Sequence, residues 1–303
     1  MHHPIFLLGV GAVFGFFFST FLDGDDVFWN GTGKLNFLSS GSEKLINDGL
    51  ENGWKRINVF YGSSDHVESL IPPNKQWYSQ ARQDEVVISL LGGKRGGFFI
   101  DLAANDATVL SNTYALEKSY GWRGLCIEPN ADYFYNLTHY RGNCELVAAV
   151  IGGNRMEKID FFAAGDHSGI VGFDNPERLR KKSRQEYTVT LEEILWRFNA
   201  PVEIDYLSLD VEGAEEYIMA VFPFEKYRIK LMTIERPKEK LRDLLASRGY
   251  MQIQRLSRWG ECLFAHRDII NELDMSRLDE FNGRRQYLLE KEASKLREEE
   301  KKR

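Results

Sequence analysis

GGFFIDLAANDATVL, residues 96–110, is the stretch on which the fold turns. Its apolar run FFI ends in Asp101, and the small and polar residues AANDA follow before helix-like spacing begins. A continuous apolar strand closed by an acid and a bend reads as a parallel strand buried on both faces, its carboxyl end open on a crevice. Outward from it, strand and helix signals alternate. ATVLSNTYALEKSYG (107–121) reads as helix, WRGLCIEP (122–129) as strand, NADYFYNLTHYRG (130–142) as helix and CELVAAVIG (144–152) as strand. EKIDFFAA (157–164) is a further strand, and TLEEILWRFN (190–199) a helix with Thr190 as N-cap and Glu193 at capping-box spacing. IDYLSLDVEG (204–213), AEEYIMAVFPFEKY (214–227), RIKLMTIERP (228–237) and KEKLRDLLASRGY (238–250) repeat the alternation before a last β region, MQIQRLSRWGECLFAHR (251–267). The expectation is an α/β fold: a doubly wound, mostly parallel, seven-stranded sheet with helices on both faces.

Upstream, SQARQDEVVISLLGGK (79–94) predicts a short helix stopped by Gly92-Gly93, and residues 23–77, rich in Gly, Asn, Ser and Asp, read as a stem. PIFLLGVGAVFGFFFSTFL (4–22) carries no charge and is near the roughly 20 residues that span a bilayer, so residues 1–22 are expected to be a membrane anchor or a signal peptide. The anchor reading is preferred, with the N-terminus in the cytosol and the rest lumenal, in the Golgi or endoplasmic reticulum. Sequons at Asn30 and Asn136 would then be available. Residues 268–303 read as a charged, solvated helical tail.

The chain has 303 residues, 43% of them hydrophobic, and a formal net charge of −6. That charge, with no basic stripe interleaved with aromatics, excludes nucleic acid as an expected partner; the basic cluster at 178–184 reads as a loop face. The three cysteines, Cys126, Cys144 and Cys262, form no CxxC pair and predict neither a disulfide framework nor a structural zinc. Cys126 reads as a small buried hydrophobe.

Asp101, Glu128 and Asp210 each close a predicted parallel strand, and in a doubly wound sheet such tips line one crevice. An acid at the second tip can accept ribose hydroxyls. DLAANDA lacks the G-x-G-x-x-G loop that cradles a pyrophosphate and puts an acid where phosphate would be repelled. A cationic nucleoside fits better, which makes S-adenosylmethionine the expected cofactor. Glu212, Glu215 and Glu235 are further candidates near the acceptor, Asp210-Val211-Glu212 is a second reading as a divalent-metal pair although no metal is expected, and His167 is a possible loop base.

GGFFIDLAANDA, LCIEPN, LVAAVIG and LSLDVEGAE, in this order, resemble the FkbM family of S-adenosylmethionine-dependent methyltransferases over residues 78–267, as do SQARQD and YTVTLEEIL. The resemblance implies a Rossmann-like methyltransferase sheet. It places the methionine part on Asp101, Ala103 and Asn105, the ribose on Glu128 with Asn130 beside it, and the adenine against Ala148 and Ala149. It sets Asp210 at the transferring methyl, with Asp210, Glu212 and Glu215 as catalytic candidates. Where the family has glycine this chain has Ala103 and Ala107. The implied activity is O-methylation of a hydroxyl on a glycan or small secretory-pathway acceptor; the alternative is a non-catalytic, membrane-anchored binding or trafficking protein that keeps the fold.

Overall fold

The computed structural model describes residues 28–30, 34–36, 58–61, 76–163, 168–174 and 177–283. Residues 1–22, His167 and the tail beyond residue 283 lie outside the described residues, and with them the anchor and loop-base expectations. Among the described residues no helix is long and apolar enough to cross a membrane. The chain divides into two units, Met1–Asn52 and Gly53–Arg303. In the first, β1 (Phe28–Asn30) and β2 (Lys34–Asn36) form an antiparallel hairpin.

The second unit is built on an eight-stranded sheet. Its strands are β3 (Asn58–Tyr61), β4 (Phe98–Leu102), β5 (Arg123–Ile127), β6 (Cys144–Ala148), β11 (Glu203–Leu209), β12 (Arg228–Glu235), β13 (Tyr250–Arg255) and β14 (Glu261–His266), in the order β13-β14-β12-β11-β4-β5-β6-β3. β4, β5, β6, β11 and β12 are parallel neighbours, while β14 and β3 run antiparallel to the strands they pair. From β4 the chain winds out through β5 and β6, then returns to β11 on β4's other side, so the order reverses between β4 and β11. That reversal opens a crevice at the strands' carboxyl ends.

Side-chain alternation divides the core in two. Ile100, Leu102, Leu125, Ile127, Leu207 and Leu209 face one way, against α4 (Leu191–Arg197), α5 (Glu215–Met219) and α6 (Glu239–Ser247). Phe99, Cys126, Leu146, Tyr206, Leu231 and Leu263 face the other, against α1 (Gln83–Leu90), α2 (Tyr114–Tyr120) and α3 (Ala131–Tyr140). Continuous apolar strands are what burial on both faces requires. Gly124 lets β5 lie close to β4, since a Cβ there would sit 2.2 Å from the Phe99 carbonyl oxygen.

Several expectations are corrected. The predicted strand at 144–152 breaks after Ala148, and β7 (Val150–Ile151) leaves the main sheet. It joins β8 (Lys158–Phe162), β9 (Gly169–Ile170) and β10 (Arg184–Val189) in a separate four-stranded sheet of order β7-β10-β8-β9. The main sheet regains its count because the last β region is a hairpin and β3, from the predicted stem, adds an edge. The helix expected at 107–121 begins only at Tyr114, because Asp106 Oδ1 accepts N–H bonds from Thr108 (2.9 Å) and Val109 (2.7 Å) and holds a turn. The helix expected at 214–227 stops at Met219, where i→i+3 bonds tighten the last turn ahead of Pro223. Thr190 caps α4 as expected, accepting the Glu193 N–H at 3.3 Å.

Residues 267–281, expected to open a solvated tail, form two 3-10 turns that bury Ile269, Leu273 and Phe281 against α1's face. Asn136 donates its side-chain amide to Asp106 Oδ2 at 2.6 Å, so its sequon is engaged in the fold. Cys126 and Cys144, expected as separate thiols, are joined in a disulfide across β5 and β6 with Cα atoms 6.0 Å apart. Register explains it: Cys126 pairs Leu146 and Cys144 pairs Gly124, so the two cysteines share one sheet face on adjacent strands.

Closing a loop of this length restricts the unfolded chain by about 3 kcal/mol. The double substitution Cys126→Ala/Cys144→Ala is therefore expected to lower the unfolding free energy of the full chain, read from urea unfolding in non-reducing buffer, by about 3 kcal/mol. An unchanged midpoint would contradict a structural role for the bridge.

Candidate active site

The strand-tip acids lie in two tiers. Register aligns Cys126, Asp101, Ser208, Thr233 and Leu263 across the sheet on the α1–α3 face. Two residues further along their strands come Glu128, Asp210 and Glu235, with Glu261 opposite Glu235. Asp101 thus sits one layer deeper than the others.

Glu128 is 3% exposed, and both its oxygens carry backbone bonds: Oε2 accepts from Asn105 N–H at 2.8 Å and Oε1 from Asn130 N–H at 2.7 Å. Burial pushes its carboxyl up to about 7, against the pull of those two donors. Asn105 takes a left-handed φ of 55°, which an asparagine tolerates. Asn130 is the N-cap of α3, accepting from Asp132 N–H, and its amide donates to Ser168 Oγ at 3.2 Å. The loop after β4 and the loop after β5 are therefore tied to one carboxylate.

Asp101 is 2% exposed and does not line the cavity described below. Thr113 Oγ1 donates to its Oδ2 at 2.5 Å, and Thr113 in turn receives an N–H from the fully buried Arg141 at 2.8 Å. Burial raises the Asp101 carboxyl and the Arg141 charge opposes it. Its place is structural in geometry: it fixes the start of α2 under the loop rather than lining an opening.

At the tips of β11, β12 and β14 the carboxylates crowd. Oxygens of Asp210, Glu212 and Glu235 lie within 4.8 Å of one another, a spacing that suits a cation. Arg236 supplies one, bonding Glu212 Oε2 at 2.9 Å and Glu235 Oε2 at 2.6 Å. Burial, and then Glu235, Glu261, Glu212 and Glu215, push Asp210 well above the carboxylate range. Glu215 Oε1 accepts the N–H groups of Val211 and Gly213, both at 3.2 Å, so it closes the turn into α5 and is occupied there.

Glu261, which pattern reasoning passed over, belongs to this group: it is 3% exposed, hydrogen-bonded to Thr233 and Gln83, and pushed up to about 8 by burial and by Glu235. The signal for it was available in RWGEC, because an antiparallel strand begins where its parallel neighbours end.

Beside these tips, on the α4–α6 face, lies a small apolar cavity of about 40 Å³. Leu102, Ala103, Ile127 and Pro129 form its sheet side, Ala149 to Ile151 its edge, Phe161 and Ser168 to Ile170 its cover, and Val211 and Ala214 its far wall. Of the predicted cofactor residues, Ala103 and Ala149 line it, whereas Ala148 packs with the opposite core. None of the acids lines it; they rim the same end of the sheet from its other face. Ala103 holds a φ of 63°, a left-handed conformation that costs an L-residue roughly 1–2 kcal/mol.

A family model for the methyltransferase FkbM domain matches residues 101–256. No curated protein matches the chain. Among solved structures, the METTL16 MTase domain is similar at 15% identity, covering 79% of this chain and 85% of that one with a TM-score of 0.32.

Replacing Ala103 by glycine should stabilise the chain by about 0.5–1 kcal/mol, the relieved strain exceeding the entropy that glycine adds to the unfolded state. Urea unfolding checks this, and a destabilised variant would contradict the strain. Glu128 near 7 and Glu261 near 8 both stand above an unfolded glutamate. The folded chain thus binds more protons than the unfolded one from about pH 4.5 up to those values, and stability should fall as pH rises through that window. Glu261→Gln is expected to flatten the fall between pH 5.5 and 8.5; an unaltered slope would remove Glu261 as its source.

Proposed function

The chain belongs to the FkbM methyltransferase domain family, and we propose that it is an S-adenosylmethionine-dependent O-methyltransferase acting on a hydroxyl of a glycan or small secretory-pathway acceptor. The observation that carries the reading is the apolar cavity at the β4/β11 reversal, with Glu128 and the Asp210 cluster at the same end of the sheet on its other face. The residues present fit the cofactor. Ile127, Pro129, Ala149 and Ile151 offer apolar faces to a purine, and Glu128 keeps a lone pair on each oxygen beyond the backbone bonds it already accepts. No nest of free backbone amides is set out for a pyrophosphate, since Ala103 and Ala104 both donate to the Ile127 carbonyl.

S-adenosylmethionine, when bound, supplies a methyl group on a sulfonium for in-line displacement. This chain's part is alignment and the acceptor's proton. Asp210, its affinity for a proton raised by burial and by its neighbours, is the group that takes a proton from an acceptor hydroxyl. Glu235 and Glu212, held by Arg236, shape the rim on which the acceptor rests.

The setting belongs to the same reading: residues 4–22 as a membrane anchor and a lumenal catalytic domain in the endomembrane system. A Cys126–Cys144 bridge suits an oxidising compartment, which supports that placement. One observation favours a second reading, a cofactor-holding protein without turnover: Ala103 puts a methyl group into the cavity wall where the family pattern has glycine, and Arg236 already occupies two of the acceptor-side acids.

Calorimetry of the full chain with S-adenosylhomocysteine tests the proposal. Binding is expected for the wild type, with at least tenfold weakening in Glu128→Ala and loss in Ala149→Phe, which fills the cavity. Absence of binding to a wild-type chain that melts cooperatively would overturn it, and binding without methyl transfer to any hydroxylated acceptor would favour the second reading.

A further inference from the structure

Arg141 is fully buried, and a buried guanidinium is costly unless its donors are met. Here the donors reach one region. Nε bonds Glu117 Oε2 at 2.6 Å, Nη2 bonds Thr113 Oγ1 at 2.8 Å and Nη1 reaches Ser111 Oγ at 3.4 Å, with the guanidinium 5.6 Å from the Phe99 ring centroid and 5.9 Å from that of Tyr114. Glu117 is held in turn, its Oε1 accepting the N–H groups of Gly142 (2.8 Å) and Asn143 (2.9 Å). Thr113 passes the connection to Asp101 at 2.5 Å, and Ser111 Oγ accepts the Tyr114 N–H at 3.1 Å where α2 begins.

Well-packed apolar residues in place of a whole buried ionic set often cost no stability, so this set is better explained by what it specifies. What it specifies lies between β4 and α2. That segment holds three non-glycine residues in the left-handed region, Ala103 (φ 63°), Asn105 (55°) and Leu110 (58°), and Val109 is 62% exposed. Ala104 and Ala107 pin the middle of the segment to the core, and strained backbone of this kind persists only when its surroundings over-determine it. One end of the segment is fixed by Glu128 through Asn105, and the other by Ser111 and Thr113.

We propose that Arg141, through Ser111, Thr113 and Asp101, is a positioning residue that holds the strained loop 103–112 in the form that accepts the cofactor. It packs over Phe99 on the α1–α3 face of the sheet and does not line the cavity. The proposal rests on the cofactor reading above for its consequence, though not for its structural part.

The full chain is compared with Arg141→Met and Thr113→Val by amide hydrogen exchange and by calorimetry with S-adenosylhomocysteine. Thr113→Val keeps the Arg141–Glu117 pair and cuts only the relay, so it decides the matter if Arg141→Met fails to fold. Exchange of residues 103–112 is expected to quicken at least tenfold in both variants while β4, β5 and β11 stay protected, and affinity is expected to drop at least tenfold. Adding Ala103→Gly to Thr113→Val should recover part of that affinity, because a relaxed loop needs less restraint. Unchanged exchange at 103–112, or exchange raised equally across the sheet, would overturn the proposal. Faster loop exchange in a chain whose wild type binds no S-adenosylhomocysteine would uphold the positioning of the loop and count against the cofactor reading alone.

Discussion

A single carboxylate, Glu128, organises the ligand-facing end of the domain. It is shut from water and bonded to Asn105 and Asn130, one from each of the loops that border the cavity. Desolvation of an acid favours its neutral form and the two backbone donors favour its charge; burial wins, leaving the group poised near neutrality. A group in that state gains from hydroxyl partners, which can donate to it or accept from it. The loop after β4 takes its left-handed course between this anchor and the Ser111–Arg141 contacts at its other end.

The second organising feature is an excess of negative charge. Asp210, Glu212, Glu235 and Glu261 gather at three neighbouring strand ends, and Arg236 bonds only Glu212 and Glu235 among them. Burial and the crowding of like charges hold Asp210 and Glu261 above their ordinary range. The cavity and the acid cluster lie on opposite faces of the same end of the sheet, on either side of the tips of β4 and β11.

Much of this was legible in the sequence, and the reasons for success and failure are physical. FFID, GLCIE and YLSLD read correctly as strand ends because continuous apolar runs and terminal acids are local signals. Depth is not local: alternation places Asp101 one layer below Glu128 and Asp210, and only register reveals it. The Cys126–Cys144 bridge likewise depends on β5 and β6 being neighbours, which spacing in the chain does not encode. Arg141 falls at the end of the predicted helix 130–142, and nothing local in YRGN signals that the fold closes over it. The second sheet stayed hidden because β7 and β9 are two residues each and β10 carries polar residues on an exposed face.

The most direct test is a crystal structure of the chain with S-adenosylhomocysteine. The account predicts the ribose hydroxyls on Glu128, the purine between Ile127 and Ala149, and Asp101 still bonded to Thr113 without touching the ligand. A ligand seated elsewhere, or one held by Asp101 with Glu128 left to the backbone alone, would contradict it.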